Sequence, residues 1–497
     1  MRRFASWTAV CLFLWALPSA MAMEVMEDTG LSEVSAQTGI TINATNLQGT
    51  ATNAYWNDSD GFPGDPAAGY LVWQGITMGP INFNLAIDAG SDATRSYVRL
   101  ASTGATDLGV AVNGVYVDNN GTLGEVGDSY SMGSVRSSLD LGPSYLDISG
   151  HDAAGSRGAR LRGSINIYGT AHLMDSYMAW GDSDGATGFG SPGYLTLMGL
   201  DASLTFDGLE VDAGSDATYS WLNLDFPAVN ILAEAPTVSI SNNQAGNAAQ
   251  SLGGIYARAS IGPDFYLKIR GGGQSGPGLS VVGDISLVGG TSYLGWYDTD
   301  TGGWLGFTGI NLTYAATDEF HLDVSDTWLA WRWPAFNVDV NIADVVTGSA
   351  LDSMGSLRAV LDVPETEPGQ ARPSTTNVEM RFYTEFEFLA TSDIGYGDMD
   401  GMASAASAGW ITLHNAHFYG TGGTPGLSAT MFSLFPVVIN AGATGATVSL
   451  PDIHARLLVE DAMLTGTFDN GGVVSGSMGG LAARLDMPAI TMNITTH

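Results

Sequence analysis

The chain reads as an all-β protein built from four related antiparallel β modules, and three observations predict it. An aromatic followed by Asp-x-Asp occurs four times: Trp56-x-Asp58-x-Asp60, Trp180-x-Asp182-x-Asp184, Trp296-x-Asp298-x-Asp300 and Tyr396-x-Asp398-x-Asp400. Apolar and polar residues alternate with period two along stretches such as 81–87 and 336–342, as a half-buried strand requires. The composition, with 66 glycines, 45% hydrophobic and 14% charged residues, suits strands and turns. A phrase returning at roughly 100–124 residues marks an array of one duplicated unit. That spacing fits tandem sandwiches or one elongated repeat sheet or solenoid.

Residues 1–22 form an export signal. Arg2 and Arg3 give a basic start, an apolar stretch follows, and Ala20-Met21-Ala22 is a small-x-small cleavage site. The apolar stretch falls short of the about 20 residues a spanning helix needs. The only cysteine, Cys11, lies inside this signal, so the mature chain is expected to hold together without disulfides. Localisation is therefore expected at the cell surface, outside the cell or in the outer membrane.

Residues 23–39 are a short acidic segment. Asp28, Leu31, Ser32, Val34, Ser35, Gln37, Gly39 and Ile40 spell D-x-x-L-S-x-V-[ST]-x-Q-x-G-I directly after the signal. This opening resembles that of exported Gram-negative repeat β proteins described as Fil-type putative pilus-system proteins. The resemblance covers about 20 residues, implies a surface or filament-linked role, and identifies no catalytic residue.

The modules are expected at 40–157, 158–278, 279–363 and 374–497, with a proline-rich linker at 364–373. Each repeats further phrases in constant order. An aromatic-led strand running to a glycine begins at Tyr70, Tyr194 and Trp304, and a matching strand at Trp410 stops at Leu413. Strand ends read Asp88-Ala89-Gly90 and Asp212-Ala213-Gly214, more loosely Asp323-Val324-Ser325 and Asn440-Ala441-Gly442. Modules close on Ser131-Met132-Gly133, Ser251-Leu252-Gly253, Ser353-Met354-Gly355 and Ser477-Met478-Gly479.

Seventeen Lys plus Arg face 51 Asp plus Glu, a formal charge of −34. So acidic a surface repels nucleic acid and excludes it as a partner. Paired carboxylates in a tight turn could supply oxygen ligands to Ca²⁺, from Asp58, Asp60, Asp182, Asp184, Asp298, Asp300, Asp398 and Asp400. The competing account is that Asp and Gly are good turn residues. The aromatic before each pair either anchors the turn on the sheet or stacks on a sugar. His414 and His417 are a poor metal pair, since positions three apart on a strand face opposite sides. No nucleophile elbow, zinc helix or phosphate loop occurs, so no catalysis is expected.

These features predict an exported cell-surface or filament/pilus-associated structural, adhesive protein. Its expected partners are further copies of itself, by strand addition, or pilus and surface components. Two alternatives share the strand pattern: an outer-membrane β-barrel and a calcium-dependent glycan-binding protein.

Overall fold

The computed structural model describes residues 39–61, 67–91, 95–118, 130–150, 158–167, 176–182, 193–215, 219–226, 228–242, 250–262, 265–272, 278–287, 291–316, 319–325, 329–365, 369–372, 380–385, 387–398, 409–420, 433–442, 445–450, 453–465 and 474–495. The export signal, residues 23–38, Asp184 and Asp400 lie outside them, as does the side chain of Asp398.

Module 1 holds β1 (Ile40–Asp58), β2 (Gly69–Ser91), β3 (Ser96–Asp118), β4 (Tyr130–Ser131), β5 (Ser134–Leu141) and β6 (Ser144–Gly150). Module 2 begins with β7 (Ala159–Ile167), β8 (Tyr177–Asp182), β9 (Gly193–Met198) and β10 (Asp201–Ser215). It continues through β11 (Ser220–Phe226), β12 (Val229–Ala235), β13 (Thr237–Ser241), β14 (Gln250–Ser251), β15 (Gly254–Ile261) and β16 (Phe265–Gly271). Module 3 begins with β17 (Leu279–Leu287), β18 (Tyr293–Tyr297), β19 (Trp304–Ala316) and β20 (Phe320–Val324). It ends with β21 (Leu329–Arg332), β22 (Phe336–Thr347), β23 (Asp352–Ser353), β24 (Ser356–Val363) and β25 (Gly369–Arg372). Module 4 begins with β26 (Met380–Glu385), β27 (Phe388–Asp398), β28 (Gly409–Gly420) and β29 (Ser433–Gly442). It closes with β30 (Gly445–Leu450), β31 (Ile453–Thr465), β32 (Val474–Ser477), β33 (Leu481–Met487) and β34 (Ile490–Thr495).

One plan recurs. In module 1, β1 pairs with β2 and β2 with β3, while β5 and β6 lie end to end along β3. Counted by strand length, a module is a four-stranded antiparallel meander. The modules are not separate sandwiches: they join into one 34-stranded sheet. Module 1 joins module 2 through β5–β8 and β6–β7. Module 2 joins module 3 through β15–β18 and β16–β17, and module 3 joins module 4 through β24–β27 and β25–β26. Main-chain ladders therefore cross every joint, the shared edge of sheet that replaces an interface between domains. The residues expected as a linker contain β25, paired on both sides with β21 and β26.

The sheet also coils. The first hairpin of module 1, β1 and β2, rests on β20 of module 3, and β29 of module 4 rests on β8, β9 and β13 of module 2. One turn of the coil takes two modules. The approach is close: a Cβ on Gly69 would sit 2.0 Å from the Ser325 carbonyl oxygen, which only glycine permits.

The aromatic-led strands bend at one shared position. Gly75, Gly199 and Gly309 have φ of 62°, 63° and 60°, and Asn415 takes the same left-handed conformation at 49°. Asn tolerates that region best among residues with a side chain, which explains why the fourth copy continues past Leu413 without the glycine. Small apolar clusters brace the sheet: Phe226, Val229 and Phe265 in module 2, with rings 226 and 265 stacked at 4.6 Å, and Phe388, Ala416 and Val459 in module 4.

Candidate functional site

The repeated residues meet at the joints. Each Ser-x-Gly phrase is a bulge in the strand that closes its module. The glycines have positive φ, 87° at Gly133, 94° at Gly253, 99° at Gly355 and 84° at Gly479, a conformation that requires glycine. The serine hydroxyl accepts from the glycine N–H two residues on, at 3.2 Å for Ser131, 3.0 Å for Ser251, and 3.2 Å for both Ser353 and Ser477. The residue between them donates its N–H to the neighbouring strand, as Leu252 does to the Val238 carbonyl at 2.6 Å. Its own carbonyl is left for the next module.

The aromatic of the following Asp-x-Asp phrase takes that carbonyl. Trp180 Nε1 donates to the Met132 oxygen at 2.9 Å, and Trp296 Nε1 to the Leu252 oxygen at 2.7 Å. In the third joint the Tyr396 hydroxyl donates to the Met354 oxygen at 2.7 Å. The anchoring expectation thus has a specific object, the bulge of the module before.

A second clamp lies four residues earlier. Ser176, Ser292 and Ser392, all buried, accept from the amides of Asp140, Ser260 and Asp362 of the preceding module at 2.9, 3.1 and 3.0 Å. Sequence reasoning missed these serines, although their constant offset from the aromatic is visible in the sequence. At the first joint an ion pair is added: Asp147 of β6 is nearly buried, bound by Arg99 at 2.6 Å and by Arg162 of module 2 at 2.8 Å. Hydrogen bonds from Arg99 first, then Arg162, hold its carboxyl below the usual carboxylate range.

The acidic turns divide by position. Asp58 is fully buried; its Oδ2 accepts from Val324 N of module 3 at 2.9 Å and its Oδ1 from Asp60 N at 3.4 Å. Burial, opposed by those amides, pushes its carboxyl up to about 6. Asp182 is likewise buried, whereas Asp298 caps its own turn. Asp298 Oδ1 accepts from Asp300 N at 2.9 Å and Oδ2 from the Thr301 hydroxyl at 2.9 Å. The carboxylates of Asp58 and Asp298 face amide and hydroxyl donors, the arrangement of turn chemistry, whereas Asp60 Oδ1 is buried with no hydrogen-bond partner among the described residues. Among the described residues no three His, Cys, Asp or Glu converge as a metal site would need. His414 and His417 each engage a different carboxylate, Asp393 at 2.8 Å and Glu387 at 2.9 Å.

Comparison with family models, with curated proteins and with solved structures returns no match.

Proposed function

We propose that the protein is an exported structural component of the cell surface, filament-associated and adhesive, whose working feature is its continuous coiled sheet. One observation carries this reading: the repeated aromatics and the serines four residues before them serve joints between modules. Trp180, Trp296 and Tyr396, the buried Ser176, Ser292 and Ser392, and Asp58 each connect one unit to another. Duplication that multiplies joints lengthens a surface. Duplication that served binding would repeat the residues that line a cleft.

The outer edge of β1, which no described strand covers, weighs against the outer-membrane barrel, because a lipid-exposed spanning sheet has no free edge. Among the described residues β1 pairs with β2, and neither β33 nor β34 pairs with it. The test is protease shaving and immunogold labelling of intact producing cells carrying an epitope-tagged chain. Surface label released by mild protease supports the reading. A chain retained in the cytoplasm, or one extracted only by detergent, would overturn it.

A further inference from the structure

We infer that copies of this chain join head to tail by forming a fourth joint, β33 of one copy against β1 of the next. The inference rests on the surface-component reading and supplies its partner, a second copy of the chain.

Each internal joint has two halves, and among the described residues β1 and β33 each carry one half with no strand set against it. The closing half is complete at the end of module 4. Gly479 has the bulge φ of 84°, Ser477 accepts from its N–H, and Met478 donates to the Ala462 carbonyl at 2.7 Å. Beyond the bulge, β33 pairs with β31 on one side, and its other side has no strand among the described residues. Leu481 and Leu485 are exposed there, as is Met478 before them.

The receiving half is complete at the start of module 1. Trp56 holds the position of Trp180, Trp296 and Tyr396, and Thr52 lies four residues before it, where the later modules have Ser176, Ser292 and Ser392. A hydroxyl at 52 and an indole at 56 are the two clamps a preceding module would use. Among the described residues no module precedes the first.

The internal registers fix the geometry of the fourth joint. The residue two beyond each bulge glycine faces the clamp aromatic: Val135 faces Trp180, Ile255 faces Trp296 and Leu357 faces Tyr396. The same offset sets Leu481 opposite Trp56 and Ala483 opposite Ala54 of the next copy. It directs the Trp56 indole N–H to the Met478 carbonyl. The Asp486 amide, placed like those of Asp140, Ser260 and Asp362, then meets the Thr52 hydroxyl. An interface whose two faces differ does not close on itself by two-fold symmetry, so it adds copies head to tail into a ring or an open filament. Exposed strand edges are the usual template for such pairing. The charge of −34 opposes it at long range, so added salt promotes it.

The test uses full chains carrying Cys11→Ser, so that introduced thiols are the only ones. Ala54→Cys is placed in one population and Ala483→Cys in another, and the two are mixed with a short thiol cross-linker. The expected product is the mixed dimer, with a ladder of multimers from a chain carrying both changes. Trp56→Phe, which keeps the ring and loses the donor, is expected to lower the yield roughly fivefold. Ala54→Cys mixed with Thr491→Cys is the out-of-register control. Equal yield from that control, or dimers from either variant alone, would overturn the register. No product at any concentration, with light scattering showing a monomer, would overturn the joint itself and leave the edges to residues 23–39 or to a different protein. Surface labelling is read separately: a surface chain that fails to cross-link sinks this inference alone, and an internal chain sinks the functional reading.

Discussion

The bulge at Ser251–Gly253 and the bulge at Ser477–Gly479 have the same backbone and opposite surroundings. Their glycine φ values are 94° and 84°, and their serine to amide distances 3.0 and 3.2 Å. A Cβ on Gly253 would meet the Tyr297 carbonyl oxygen at 2.3 Å and the Trp296 ring nitrogen at 2.7 Å, whereas one on Gly479 would meet nothing within 4 Å. The turn is thus a property of the module, formed before any neighbour arrives. Packing around it is supplied by the module that follows. The acidic turns repeat the lesson, since Asp58 has a module two places on to rest against and Asp298 does not.

Substitutions at matched positions separate the two contributions. Gly253→Ala meets both strain and overlap and is expected to destabilise the fold by about 3 kcal/mol. Gly479→Ala meets strain alone, about 1–2 kcal/mol. Urea unfolding of the two variants measures the gap, and equal losses would show that the next module adds nothing.

Asp58→Ala leaves a buried Val324 amide without its acceptor, a loss of about 2 kcal/mol. Asp298→Ala, at an exposed turn, is expected to lose under about 1 kcal/mol. Hydrogen exchange at Val324 should accelerate in the first variant and stay unchanged in the second.

The raised pKa of Asp58 gives the contact between modules 1 and 3 a pH dependence of known sign. With the folded value near 6 and the ordinary value at 3.8, its contribution is fully present below 3.8 and lost as pH rises through about 6. Asp58→Asn removes that dependence. Its melting temperature, relative to wild type, is expected to be matched at pH 4 and higher at pH 7.5; a constant difference across that window would refute the shift.

Trp296→Phe removes the donor to the Leu252 carbonyl and is expected to lower stability by about 1 kcal/mol, against no change for Trp56→Phe in the monomer. The smallest effect concerns calcium. Because Asp58 and Asp298 already accept from amides, millimolar calcium is expected to leave the melting temperature where it was. A rise of several degrees, abolished by Asp58→Asn, would restore the ion-binding account.

Much of this was readable in the sequence, and the limit has a physical cause. Phrases repeated in constant order marked the recurring turns of an all-β fold, because local turn chemistry needs particular residues: Gly133 and its counterparts must be glycine to hold their φ. The function of Trp180, Trp296 and Tyr396 was half visible. An aromatic before a turn reads as an anchor, but its acceptor lies 42–48 residues back, and only pairing register brings it near. Asn415 hid the fourth copy of a bend because a different residue met the same backbone demand. The choice between sandwiches and one sheet turned on which edges pair, and period-two alternation is the same in both. The contact between Asp58 and Val324 spans 266 residues and left no local trace.

That contact gives the molecule a mechanical character. Successive turns of the coil touch through the Asp58 hydrogen bond and the close approach of Gly69 to Ser325, while neighbouring modules share whole ladders. Tension along the coil axis therefore meets two very different resistances. The few contacts between turns are expected to part before the ladders within the ribbon, which force spectroscopy would read as a weak event preceding a strong one.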